Sequence, residues 1–365
     1  MPPPSLPAPP PETEAPPPET EAPPAVAGPP RVAVLLPISG ASGALGKAML
    51  SAAQMALFDV AGSQFRLMPR DTQGTPQAAA AAAQQAIADG ARVIVGPLLA
   101  GEVEAVKPIA AAAHVPMLAF STSTQLAGNG TYLLSFQPGQ EIARVVAFAK
   151  AKGFDRFAVL APRTPYGEIA VEALKSAADA VGATVTRIDY YDPATTDLGP
   201  AVKRFSQNVN FNALLLPEGG ARLRLLAPLL PYDGIDPDTI KFLGTGLWDE
   251  PGLGTEPALN TGWYAAPPPG ARADFERRYR ALFQQAPPRL ATLAYDATAL
   301  VATLSRTGDL SESALTNPNG FAGLDGIFRL GPDGLIQRGL AVLEVRRGEA
   351  ALIDPAPTTF QNLGQ

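Results

Sequence analysis

Most of the residues in this sequence that could do chemistry sit in two loops rich in hydroxyls and glycine. Ser39-Gly40-Ala41-Ser42-Gly43 lies between an apolar run and a helical segment, and Ser121-Thr122-Ser123-Thr124 follows another apolar run. Hydroxyls and free backbone amides beside a helix N-terminus bind a carboxylate or other anion, which makes Ser39, Gly40 and Ser42 candidate ligand residues. The same glycines are equally what a tight turn needs, and both readings stand. In the second loop, hydroxyls and amides can hold an α-carboxylate and exchange hydrogen bonds with an amine, so Ser121, Ser123 and Thr124 are candidates. Capping of a short helix near Gln125–Gly128 would use the same hydroxyls. Gly96-Pro97-Leu98 ends a third apolar run on the same edge, where Gly96 and Pro97 would give the site its shape. Glycines at 40, 43 and 46, with Asp71 ending the next strand, also invite a dinucleotide reading. Their spacing is GxxGxxG rather than GxGxxG, and Pro37 interrupts the turn.

Catalysis has little to draw on. The sequence has no cysteine, which removes disulfides, thiolate nucleophiles and zinc–thiolate sites. Its one histidine, His114, ends a helical stretch, where a cation is stabilising by about 0.3–1 kcal/mol, and no serine, aspartate or lysine stands beside it as a motif. Asp296, flanked by apolar residues inside a helix, reads as structural. A net charge of −6 argues against a nucleic-acid surface. No apolar run approaches the roughly 18 residues of a membrane span. No cofactor is called for, and the expectation is a non-enzymatic protein.

The elements that must position these loops alternate regularly. The 365 residues suggest about two domains. Strands are expected at 31–36, 65–69, 92–95 and 116–120, with helices between them. Thr75-Pro76 opens one helix with an N-cap and a proline at N1, and Asp89-Gly90 closes it. After 132–135 the pattern restarts, with strands at 157–160, 184–189, 213–216, 241–243 and 262–265. Helices are expected between them, including one over 219–230, and two more follow at 271–285 and 291–305. Residues 326–345 read as strands joined by the Gly331–Gly334 turn. The fold class is α/β, with two doubly wound parallel-sheet lobes and a cleft at their strand ends. Tyr166, Glu218 and Trp248 lie in strand-end loops of the second lobe. Glu218 also suits a helix N-terminus, and Trp248 suits either ligand stacking or a cover over the hinge.

Residues 2–30 hold 14 of the 40 prolines, and PETEAPP occurs twice in tandem, at Pro11–Pro17 and Pro18–Pro24. Proline fixes φ and lacks an amide donor, so a disordered, extended leader over 1–30 is expected, reaching about 90 Å at about 3.1 Å per residue. Its only charges are four glutamates, leaving −2 of the net −6 on residues 31–365. Met1 directly on prolines leads us to expect an export signal removed upstream, with a lipid-bearing cysteine removed along with it. Such a chain would be periplasmic and lipid-anchored to the outer membrane.

The stretches VLLPISGASGALGKAMLSAAQMAL, RDTQGTP, VIVGPL, HVPMLAFSTST, RTPYGE, LAYDATAL and FAGLDGIFRLGPDG together resemble type-I periplasmic binding proteins of the leucine/isoleucine/valine-binding class. Within that superfamily, FSTST, LLLPEGGARLRLLAPLLPY, FLGTGLW and NPNGFAG resemble the penicillin-binding-protein activators, envelope lipoproteins that act on a peptidoglycan synthase. The resemblance implies a hinge of three crossings, near Ser135–Gln137, Gly262–Ala266 and Gly320–Phe328. Lobe one would then be 31–136 plus 266–320, lobe two 137–265 plus 321–355, and 356–365 a C-terminal tail. It also implies that Ser121 and Thr124 hold a ligand carboxylate, that Tyr166 faces the cleft, and that Glu218 pairs with a ligand ammonium. Pro217 ahead of Glu218 departs from the family pattern and leaves its register open. The function implied is regulation of peptidoglycan synthesis through a penicillin-binding protein. The alternative is a substrate-binding protein delivering an amino acid or similar small polar ligand to an ABC permease.

Overall fold

The structure, a computed structural model, describes residues 29–61, 65–348 and 350–361, so the expected leader over 1–30 falls almost wholly outside the described residues. The chain enters lobe one through β1 (Arg31–Leu36), α1 (Gly43–Ala56), β2 (Arg66–Asp71), α2 (Pro76–Ala88), β3 (Ala91–Val95), α3 (Ala100–Ala112), β4 (Met117–Ala119) and β5 (Thr131–Leu133). These five strands form one sheet in the order β2-β1-β3-β4-β5, all parallel. β1 shows why the run RVAVLL makes a central strand. Val32, Val34 and Leu36 face one buried cluster and Ala33 and Leu35 the other, so both faces are covered by helices. The alanine run of α2 lets that helix lie close on the sheet, burying Ala79, Ala82, Ala83 and Ala86. Thr75 caps it by accepting a hydrogen bond from the Ala78 amide at 3.3 Å.

Lobe two follows as α4 (Pro138–Ala151), β6 (Arg156–Pro162), α5 (Pro165–Ala180), β7 (Thr184–Tyr191), α6 (Gly199–Phe205), β8 (Ala213–Leu215), α7 (Gly220–Leu226), α8 (Leu229–Tyr232), β9 (Lys241–Gly244) and β10 (Trp263–Ala266). The helix expected over 219–230 is two helices, because Pro228 has no amide to continue the first. The chain returns to lobe one through α9 (Pro269–Phe283), α10 (Ala291–Ser305), α11 (Glu312–Leu315), β11 (Phe321–Gly323), β12 (Gly326–Leu330) and β13 (Ile336–Arg338). It ends in lobe two with β14 (Ala341–Glu344) and β15 (Ala351–Asp354), giving the order β15-β14-β10-β9-β8-β6-β7, with β14 and β15 antiparallel at one edge.

The first crossing runs through 134–137. The second is 267–268 and not 262–266, because Trp263–Ala266 is β10, paired with β9 and β14 inside lobe two. The third does not lie at 320–328, and residues 321–338 are not part of lobe two. Phe328, Leu330 and Ile336 are buried in the same cluster as Val32, Val34 and Leu293 of lobe one. The Leu133 amide donates to the Gly334 carbonyl at 2.8 Å, pinning the β12–β13 turn to the end of β5. The third crossing is therefore Gly339-Leu340, between β13 and β14. Residues 356–361 are not a free tail either. Phe360 is buried in lobe one, with the Arg329 guanidinium 4.7 Å from its ring, so the chain passes back over the hinge once more after β15.

Candidate functional site

A cavity of about 670 Å³ opens between the lobes at the carboxyl ends of the central strands. Leu45, the β3–α3 loop residues Leu98 and Leu99 and Ala100 at the start of α3, with Phe120, Leu290 and Leu293, give lobe one an apolar wall. Phe136 and Pro138 of the first crossing and Pro267 of the second line the hinge side. Among them stand a few polar groups, the usual makeup of a small-molecule site. Ser42 is the N-cap residue of α1 yet makes no side-chain capping bond, so its hydroxyl is unused there. Ser121, buried, accepts from the Ser123 amide at 3.1 Å through Oγ. From lobe two, Tyr166 in the first turn of α5 donates from Oη to Thr245 Oγ1 at 2.8 Å. Burial, with the Glu141 carboxyl nearby, pushes the Tyr166 hydroxyl up, so it stays neutral.

Of the residues singled out in the sequence, Ser42, Ser121, Ser123 and Tyr166 meet at this cavity. The others stand elsewhere. Ser39 is held by a structural contact: Asp71 Oδ1 accepts from the amides of Ile38 at 2.9 Å, Ser39 at 3.2 Å and Gln73 at 2.9 Å, while Gly40 takes a left-handed φ of 75° where a Cβ would fall 2.9 Å from the Gln73 carbonyl oxygen. Gly96 sits where β3 passes β1, since a Cβ there would meet the Leu35 carbonyl oxygen at 2.1 Å, and the Pro97 carbonyl accepts from the Phe120 amide at 2.9 Å. Thr124 opens a single helical turn, Thr124–Leu126, away from the cavity lining. Glu218 is turned toward β7, where its carboxylate accepts from Tyr191 Oη and, at 3.1 Å, from the Gly219 amide at the start of α7. Trp248, 1% exposed, fills the core of lobe two against Gly244 and Gly262. His114 occupies the left-handed position just past α3 (φ 53°), and its amide donates to the Ala111 carbonyl at 3.1 Å.

Four charged residues reach the cavity that sequence reasoning did not find: Glu141, Asp249, Glu250 and Arg289. Asp249, on the turn after β9, is bound by Arg272 of α9 and by Arg289 Nε at 3.2 Å, so it ties lobe two to lobe one. Arg289 also reaches buried Asp325 at 2.8 Å and lies 4.1 Å from the Phe136 ring. Arg338 covers the same ring from 5.2 Å, so Phe136 is shared by two guanidiniums. Burial works to raise Asp325, but Arg289 and Arg338 overcome it and hold the carboxyl below its ordinary range. Glu141, in the first turn of α4, accepts from the Gly246 amide at 2.8 Å. Burial pushes its carboxyl up to about 7, and the Gly246 amide, Arg289 and Arg338 only partly offset that. None of these had a sequence signal beyond a carboxylate in a helix's first turn, which ordinarily caps the helix.

No group of acids and histidines among the described residues is placed to hold a metal ion. No helix among them is long and apolar enough to cross a membrane. Two α/β lobes with a cavity at their facing strand ends define a ligand-binding class of two-lobed receptor. The sequence profile of the periplasmic binding protein family matches residues 29–350, and the chain belongs to that family. A search of curated proteins returns no match. Among solved structures, the fold is shared with a leucine binding protein of Thermotoga maritima at 21% identity, covering 90% of this chain and 98% of that one, TM-score 0.65. It is shared with a putative branched-chain amino acid ABC transporter protein of Rhodospirillum rubrum at 19% identity, covering 89% and 100%, TM-score 0.77. A solute binding protein of Rhodopseudomonas palustris, solved with 3,4-dihydroxybenzoic acid, has 22% identity over 90% and 96%, TM-score 0.66.

Proposed function

We propose that this protein is a periplasmic substrate-binding component that takes a small ligand with an apolar body and a polar head into its inter-lobe cavity and hands it to an ABC permease. The observation that carries this reading is the cavity itself: apolar walls from lobe one and the hinge, with Ser42, Ser121, Ser123, Tyr166 and Glu141 at its polar points. The transporter binding proteins that share the fold support it over a regulatory role. No reacting group is assigned, and the protein acts by binding alone. Calorimetry with free amino acids, short peptides, aromatic acids and arylalkylamines tests it, and silence across that panel would count against transport.

A second reading, regulation of peptidoglycan synthesis through a penicillin-binding protein, rests on the tandem PETEAPP repeat, a composition suited to a spacer from an outer-membrane lipid anchor. Pull-down from envelope extracts separates the two. Recovery of a permease supports the first, and recovery of a synthase without a permease supports the second.

A further inference from the structure

We propose that the cavity selects its ligand by positive charge, that Glu141 is the specificity-determining residue, and that the ligand class is a primary amine on an apolar alkyl or arylalkyl body. This rests on the reading of the cavity as a substrate site and names the substrate class for it. Of the four charged side chains lining the cavity, three are already matched. Asp249 is held by Arg272 and Arg289, Glu250 by Arg224 at 2.8 Å, and Arg289 by Asp249 at 3.2 Å and Asp325 at 2.8 Å. Glu141 has no ion pair among the described residues, and its one hydrogen bond comes from the Gly246 amide to Oε2. A ligand carboxylate would therefore find hydroxyls and amides but no uncommitted cation. An ammonium would find a buried carboxylate that Arg289 and Arg338 influence from a distance but that has no direct ion pair, and burying a charge is costly until it is paired. The body of the ligand would lie against Leu98, Phe120, Phe136, Leu290 and Leu293.

The neighbours of Glu141 make the selection pH-dependent. Asp249 of the turn after β9, Arg289 ahead of α10 and Arg338 of β13 act on it, and it in turn acts on Tyr166 of α5. The strands packed on α4 carry Lys241, Tyr264 and Glu344, which are engaged elsewhere. Lys241 lies over Trp263, Tyr264 stands beside Trp248, and Glu344 pairs with Arg346. The remaining acids of α5 point outward, with Glu168 and Asp179 exposed and Glu172 paired to Lys175 at 2.7 Å. Burial leaves Glu141 changing charge near 7, so an amine that binds its ionised form displaces a proton.

Titration calorimetry on the full chain uses three probes: 2-phenylethylamine, leucine and benzoate, each at pH 6 and pH 8. The expected order places 2-phenylethylamine first, bound roughly tenfold more tightly at pH 8 than at pH 6, as the ionised fraction of a group near 7 requires. Glu141→Gln, which keeps an acceptor for the Gly246 amide, is expected to weaken the amine at least tenfold and to abolish its pH dependence. The pH profile of the unmodified chain tests the same point without any variant. Binding of leucine or benzoate with no response to the amine overturns the inference and leaves the substrate-binding reading standing. So does amine binding that is indifferent to pH and to Glu141→Gln. Silence of all three probes overturns both.

Discussion

At the scale of single residues, the glycines of the first loop are explained by contact with backbone, not with ligand. Gly46 lies in α1 where a Cβ would fall 2.1 Å from the Pro37 carbonyl oxygen, and one at Gly43 would fall 3.1 Å from that of Ile38. This close approach sets α1 over the end of β1 and aims Ser42 at the cavity. Neither atom is the end of a flexible side chain, so Gly46→Ala is expected to cost about 1–3 kcal/mol or more, read as a lower denaturant midpoint. An unchanged midpoint would show that the loop relaxes freely. Glu141 carries a second expectation. Its carboxyl changes charge near 7 in the folded protein against an ordinary 4.5, so between those values the native state holds more protons than the unfolded chain. Stability from this group is therefore full below about 4.5 and is lost as pH rises through 7, a change of about 3 kcal/mol. Asp296, raised by burial and by neighbouring Asp325, acts in the same sense, while Asp325, held low, acts in the opposite one. Denaturant unfolding from pH 5 to 8 is expected to show a shallower fall in Glu141→Gln than in the unmodified chain. Equal slopes would mean the carboxyl is not titrating there.

At the scale of elements, the turn after β9 and the N-terminal half of α9 are joined by Asp249, whose side chain is 8% exposed and is held by Arg272 and Arg289. Asp249→Asn keeps the size and removes the charge. Arg272 retains Glu276 at 3.4 Å and Arg289 retains Asp325, so the expected cost is about 1–3 kcal/mol rather than that of a wholly stranded charge. Small-angle scattering of the ligand-free variant is expected to give a larger radius of gyration, and an unchanged radius would remove this pair from any role in closure. The strands and helices that carry these groups could be anticipated from the sequence, because strands covered on both faces read as unbroken apolar runs. The helix break at Pro228 was not, since the apolar spacing continues through it. Nor was the third crossing: alternation over β12, β13 and β14 says that strands are present but not which sheet each joins. Ser42, Ser121, Ser123 and Tyr166 were legible because topology puts strand ends and helix starts at a cleft. Glu141, Asp249 and Arg289 come from three distant segments and meet only in the folded chain. Trp248 shows the limit from the other side, since a tryptophan in a strand-end loop serves a core as readily as a ligand.

At the scale of the whole molecule, the apolar clusters do not cross the hinge. The clusters around β1, α2 and α10 belong to lobe one, and those around β6, β8 and β9 to lobe two. Coupling between lobes therefore rests on the chain crossings, the Asp249 pairs, the hydrogen bonds of Gln140 in α4 with Ile336 and Arg338 of β13, the return of Phe360 to lobe one, and the stack at Phe136. Phe136 sits on the first crossing, between Arg289 at 4.1 Å and Arg338 at 5.2 Å, and those two arginines hold Asp325 and Asp296 beside the third crossing. Removing the ring strips both guanidiniums of a neighbour and opens the cluster to water. An apolar filling would stabilise each lobe as well, so the role to test for this cluster is that of tying one crossing to another. The unmodified protein is accordingly expected to melt in one calorimetric transition, its measured enthalpy matching the van't Hoff value. Phe136→Ala is expected to lose about 2–4 kcal/mol and to broaden or split that transition, as each lobe begins to unfold on its own core. Two resolved transitions already present in the unmodified chain would show that the lobes are independent and that the hinge cluster couples nothing. A single, merely lowered transition in the variant would assign Phe136 to stability alone and leave the coupling to Asp249, Gln140 and the Phe360 strap.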